Sequence, residues 1–224
     1  MKTVNYSMTS LMRVFKISTV LGAAILAAFA LKAQNEIHVP PPAPLPGNSD
    51  GISHEAKAFM QDAAQANQTE IAMANIAETR GQNAKVRELA QMMLTDHQQN
   101  YDLLQVMAQN HLVVLNASLN LMNQHAVNHL QKASIADFDK DYTRVMLKDH
   151  VKCITRFDKA LSEPIEEPYV RQYAQNTLPA LRKHLRHAEE AARAVGLDEG
   201  KIQSILKGLP SDELLRTVAS NSQN

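Results

Sequence analysis

The sequence predicts an all-α fold: a four-helix bundle followed by short C-terminal helices. Three observations carry that expectation. Helix breakers are scarce, with seven glycines and nine prolines in 224 residues, and five of the prolines fall between positions 40 and 46. The remainder is rich in Ala, Gln, Glu, Lys and Leu, which favour helix. Apolar residues then recur at helical spacing in four long stretches after residue 52.

Residues 1–33 have the form of an export signal. Lys2, Arg13 and Lys16 give a basic start without acids, and "ISTVLGAAILAAFA" runs apolar from 17 to 30. That run is shorter than the ~20 residues needed to span a bilayer. Ala28-Phe29-Ala30 offers a small-x-small cleavage site, with a cut after Ala33 as a second choice. An uncleaved inner-membrane anchor is the alternative. No cysteine follows the apolar run, so a lipoprotein anchor is not expected. Residues 34–51, with "VPPPAPLPGNSDG", read as an extended proline-rich linker. The expected organisation is a signal peptide at 1–33, a linker at 34–51, the bundle at 52–196 and a polar, partly helical tail at 197–224.

The first helix is expected over about 53–79, capped by Ser53 and followed by Gly81. Its apolar face holds Phe59, Ala63, Ala66, Met73 and Ala77. The second spans about 82–110, with Val86, Leu89, Ala90, Met93, Leu104 and Met107 on one face. A connection of more than twenty residues follows, containing the amphipathic piece "LNLMNQHAVNHL". The third helix covers about 134–162, opened by Ser134 and closed before Pro164. The fourth covers about 166–195, ends at Gly196 and should bend at Pro179. Short helices are expected near 198–207 and 211–219. The outer pairs are joined tightly, as hairpins. The central connection is long enough to cross the whole bundle, so the second and third helices run in the same direction. That is the ferritin-like arrangement.

Formal charge is zero, so there is no global attraction to nucleic acid; an envelope- or membrane-associated partner remains open. The lone cysteine, Cys153, can form no intramolecular disulfide and is expected to be a buried, inert thiol. The chain has no phosphate loop, nucleophile elbow, dinucleotide fingerprint or zinc-protease motif.

The chemistry, if any, lies in the histidines. Met-Leu-x-Asp-His occurs twice, at 93–97 and 146–150. On helical wheels, Glu70, His97, His150 and His184 each fall on the apolar face of a different long helix. Burying such groups is costly unless they pair or bind a cation. They are therefore candidate ligands for a single divalent metal, zinc or copper given the imidazole-rich set. Asp96, Asp139 and Asp149 lie on or beside the same stripes and could orient the imidazoles. The alternative is a self-satisfied polar network that only fixes the core. A third reading, a metal-dependent enzyme, requires an open coordination position. Glu70 and His97 are offset by roughly 7 Å along the bundle axis, a distance their side chains must bridge to share one ion. His125 and His129, spaced i, i+4 on the crossover piece, read as a solvated face, as does His187; His38, His54 and His111 carry no signal.

The stretches "FMQDAAQANQTEIAMANIA" (59–77), "VRELAQMMLTDHQQN" (86–100), "FDKDYTRVMLKDHVKCITRF" (138–157) and "YAQNTLPALRKHLRHA" (173–188) resemble, in this order, the exported bacterial family called domain of unknown function 4142. The resemblance spans about 55–195 and implies a ferritin-like bundle behind a signal peptide in a Gram-negative envelope, at the periplasm or outer membrane. It implies no established activity. By position, the family pattern falls on Glu70, Asp96, His97, Asp139, His150 and His184. Di-iron members of the wider ferritin-like group carry Glu-x-x-His on two helices. Here Leu94 and Leu181 precede His97 and His184 by three residues, so ferroxidase chemistry is not supported.

Overall fold

The computed structural model describes residues 51–116, 118–162 and 165–210. The expected export signal, nearly all of the expected proline-rich linker and the expected helix at 211–219 lie outside the described residues. The described chain is all helix and connection: α1 (His54–Arg80), α2 (Ala84–Asn110), α3 (Leu121–Lys132), α4 (Ile135–Ser162), α5 (Pro168–Ala194) and α6 (Glu199–Leu206).

Local chemistry sets the ends. The Ser53 hydroxyl caps α1 by accepting the Ala56 N–H, and Asn83 caps α2 through Lys85 N–H. Ser134 and Asp137 form a reciprocal pair at the start of α4: the Asp137 N–H donates to Ser134 Oγ, whose hydroxyl donates to the Asp137 carboxylate. Gly81 turns the chain between α1 and α2. A Cβ there would sit 2.8 Å from the Ala77 carbonyl oxygen, so only glycine fits. Gly196 closes α5 with a φ of 70°, the left-handed conformation that a glycine after a helix supplies. The helix α5 continues through Pro179 without interruption.

Three long-range contacts fix the topology. The Ser53 N–H and hydroxyl both donate to the Glu167 carboxylate, so α1 and α5 start at one end. The Asp139 carboxylate accepts the Gln82 and Asn83 N–H groups at 3.0 and 2.7 Å, so α2 and α4 start at the other. At that second end Asn83 Nδ2 also reaches the Ala194 carbonyl, where α5 finishes. Helices α2 and α4 therefore run in the same direction, and the segment between them travels the length of the bundle. Side chains of α1 hold it down. Gln61 and Gln65 bond the backbone of Asn116, Ser118 and Asn120. Arg80 donates to the carbonyls of Leu130, Gln131 and Ala133 and lies over the Phe138 ring at 4.9 Å.

The core follows the expected stripes, with one shift. On α1, Ala66 is only half-buried, and the fully packed line runs through Met60, Ala63, Ala64, Asn67, Glu70, Met73 and Ala77. Phe59, Phe157 and Tyr173 pack edge-on near the α1 start, with ring centroids 5.0 to 6.3 Å apart. Methionines fill much of the middle, among them Met73, Met93 and Met146. The folded unit extends past 196: α6 buries Ile202 and Leu206, and Thr155 on α4 donates to the Gly208 carbonyl.

Candidate metal centre

His97 on α2, His150 on α4 and His184 on α5 meet in the middle of the bundle. All three are essentially sealed from solvent, at 3%, 1% and 2% exposure. One ring nitrogen from each lies within 4.8 Å of the other two. The ring centroids are 5.1 to 5.7 Å apart. The wheel positions explain the convergence. Each histidine occupies the apolar stripe of its helix, and parallel α2 and α4 bring the two Asp-His repeats to the same level.

The outward nitrogens determine the tautomers. His150 Nδ1 lies 2.9 Å from the Met146 carbonyl oxygen, which can only accept, so Nδ1 carries the proton. His184 Nε2 lies 2.8 Å from Asp96 Oδ2. Burial pushes the Asp96 carboxyl up, but the hydrogen bond from His184, with the Lys183 charge nearby, outweighs it and holds the carboxyl below its usual range. An ionised carboxylate only accepts, so His184 carries its proton on Nε2. His97 Nδ1 lies 2.9 Å from Asn67 Oδ1, and its Nε2 is buried without a hydrogen-bond partner.

These assignments leave His97 Nε2, His150 Nε2 and His184 Nδ1 as lone pairs. The last two face each other at 3.3 Å. Two lone pairs at that distance repel unless a cation stands between them. Protonation is opposed throughout. Burial lowers His97 well below its ordinary value, helped by the other two imidazoles. Burial and His184 bring His150 down to about 3. Burial also lowers His184, against the opposing effect of Asp96. A tetrahedral ion with nitrogens at about 2.0–2.1 Å places two of them about 3.3–3.4 Å apart. The His150–His184 pair already has that spacing, and a His97 nitrogen lies within 4.8 Å of both. Each ligand's second nitrogen is held by a carbonyl, a carboxylate or an amide oxygen, the arrangement that orients metal-binding imidazoles.

Of the other expected site residues, Asp96 touches the cluster, through His184 rather than its neighbour His97. Glu70 does not join the three nitrogens. Its Oε1 lies 4.0 Å from His150 Nδ1, the nitrogen already given to Met146, and its Oε2 has no partner. Burial, reinforced by Asp149, raises the Glu70 carboxyl well above its usual range. The reason is register. On α1 the residue level with His97 is Asn67, about 4.5 Å further from the hairpin turn than Glu70. Asp149 lies 3.7 Å from Lys152 and makes no contact with an imidazole among the described bonds. Asp139 is far from the cluster in role as well as place: it caps the α2 start. Cys153 is half-buried, and burial, with Glu70 and Asp149, pushes its thiol up to about 12, so it is inert at neutral pH.

Asn67 and Tyr142 are not among the expected site residues. Asn67 was visible in principle as a polar residue on the apolar face of α1, three before Glu70. Tyr142 lies two turns before His150 on α4; its hydroxyl is fully buried and unpartnered, and burial and Glu70 raise it well above the phenol range. Three other histidines stay outside: His111 stacks on Tyr169 at 3.6 Å, His129 sits 3.6 Å from Asp141 and His187 3.6 Å from Glu190.

A bundle of this topology with an imidazole cluster in its core defines a ferritin-like helical domain with a candidate metal centre. The chain belongs to the domain of unknown function family DUF4142, whose model matches residues 41–191. No curated protein matches it. Among solved structures it is similar to a DUF305 fragment from Deinococcus radiodurans, with a TM-score of 0.57 and 15% identity over 64% of this chain and 99% of that one. At that identity the likeness concerns the fold alone.

Proposed function

We propose that this chain is an exported envelope protein whose bundle holds one divalent metal, zinc or copper, on His97, His150 and His184. The observation that carries the reading is the set of three lone pairs turned inward by three outward hydrogen bonds. The ligands are neutral imidazoles, a set suited to zinc and copper. Asp96 supplies a compensating negative charge through His184. The burial of all three rings suits retention of an ion more than turnover of a substrate. The basic-then-apolar start and the proline-rich linker support export, and an envelope location is what the family resemblance implies.

Asp96 also supports a second reading. A carboxylate against His184 Nε2 could hold that ring as an imidazolium that donates from Nδ1 to His150 Nε2. The cluster would then be a proton-bridged structural network. The two readings differ in a direct measurement. The protein is purified without chelator or affinity histidines and its metals are determined by elemental analysis. About one equivalent of zinc or copper, lost in His97→Ala and in His150→Ala, is expected. No bound metal, and none taken up on addition, with both variants merely destabilised, establishes the network instead. Amino-terminal sequencing of the periplasmic fraction tests export; a mature start at Leu31 or Gln34 is expected.

A further inference from the structure

The three histidines are not held alike. His150 leans on a backbone carbonyl of its own helix, which no side-chain change removes. His97 depends on one side chain from a different helix, Asn67 on α1, which is 3% exposed. An amide can present oxygen or nitrogen, so it could hold either imidazole tautomer. Here its orientation is forced. Asn67 Nδ2 donates to the Ala63 carbonyl at 3.0 Å, and that oxygen can only accept. Oδ1 must therefore face His97. A second amide repeats the constraint. Thr177 Oγ1 on α5 donates to Asn100 Oδ1 at 3.2 Å, which turns Asn100 Nδ2 toward Asn67 Oδ1 at 3.3 Å. Tyr173 Oη completes the surroundings, 3.4 Å from Asn67 Nδ2. The chain of bonds links α1, α2 and α5 and ends on His97 Nδ1.

We propose that Asn67 is the positioning residue of the cluster: its side-chain oxygen, fixed by Ala63 and Asn100, holds His97 as the Nδ1–H tautomer and aims the Nε2 lone pair at His150 and His184. Without it, His97 could carry its proton on Nε2. The orphaned nitrogen would then point a hydrogen into the cluster, where it would block a cation and donate to a facing lone pair instead. The tautomer claim stands on the hydrogen bonds alone; its consequence for metal rests on the proposed function.

The test uses the full chain, metal-free and at neutral pH, with imidazole nitrogens observed by long-range proton–nitrogen NMR. Wild type is expected to show His97 as Nδ1–H. Asn67→Leu removes the acceptor and is expected to convert His97 wholly or partly to Nε2–H. Asn67→Asp keeps an acceptor oxygen at the same place; Nδ1–H is retained and its proton moves downfield. Cobalt(II) titration, read by visible absorption, is expected to weaken about 10–100-fold in Asn67→Leu and to recover in Asn67→Asp. His97 remaining Nδ1–H in Asn67→Leu overturns the proposal. If that variant does not fold, an unshifted Nδ1 proton in Asn67→Asp overturns it as well. A tautomer change in a protein whose wild type takes up no cobalt upholds the role of Asn67 and defeats the metal reading separately.

Discussion

Single side chains in this core are poised by burial, and the poise has a sign. His150 is neutral in the fold down to about pH 3, while an unfolded histidine takes up a proton near 6.5. Between those values the unfolded chain binds more protons, so this contribution is fully present above about pH 6.5 and is lost as pH falls toward 3. Glu70 works in the opposite sense. Its folded carboxyl keeps a proton that the unfolded chain releases above about pH 4.5, so its contribution is present below that value and is lost as pH rises. In metal-free protein, Glu70→Gln is therefore expected to gain on wild type as pH rises from 4.5 to 7.5. Urea midpoints at the two values measure this. A wild-type-to-variant difference that does not change with pH would show that Glu70 is ionised in the fold.

The elements depend on a few polar anchors at their ends. Asp139 spends its carboxylate on two free N–H groups at the start of α2, where the helix dipole also favours an anion. Asp139→Ala is expected to cost about 1–2 kcal/mol by chemical denaturation, the usual size for losing an N-terminal cap, and to leave metal content unchanged. A larger loss of metal would mean that Asp139 acts on the cluster after all. Arg80 does for the crossover what Asp139 does for α2. Its planar fork meets the carbonyls of Leu130, Gln131 and Ala133 at the end of α3, and a lysine cannot span all three. Arg80→Lys is expected to speed amide hydrogen exchange in α3 while α1 and α2 stay protected. Equal protection in both proteins would assign the anchoring of α3 to Leu130, its one fully buried side chain.

At the scale of the whole molecule, the bundle does not finish with its fourth long helix. Ile202, Leu206 and Leu209 are buried after the α5 end, and a Cβ on Gly208 would meet Val151 at 2.9 Å. Burial of an aliphatic side chain stabilises by about 1.5–3 kcal/mol. Ending the chain at Gly196 is therefore expected to cost several kcal/mol and to lower the melting temperature clearly. An unchanged melting curve would make 197–210 an accessory segment. The same scale decides how the site is protected. Four long helices enclose the imidazoles, and Asp96, about 30% exposed at its side chain, connects them toward solvent. Lys183 stands beside it at 3.9 Å.

By itself the sequence determined the four long helices, the capping roles of Ser53 and Ser134 and the direction of the chain through the bundle. Capping residues and 3.6-residue periodicity are local properties, and the length of the central connection leaves only the crossover topology. It also determined which histidines turn inward, because a wheel position depends on one helix alone. Tertiary structure decided what those histidines meet. Asn67 rather than Glu70 faces His97, because helix register is set by packing and by the Gly81 turn, and one turn of offset exchanges one neighbour for another. Asp96 serves the histidine of a different helix for the same reason, and Asp139, on a matching stripe, lies too near a helix start to reach the centre. Spacing along one helix can place a side chain on a face. Only the packing of several helices fixes its level, and a cluster of lone pairs depends on level as much as on face.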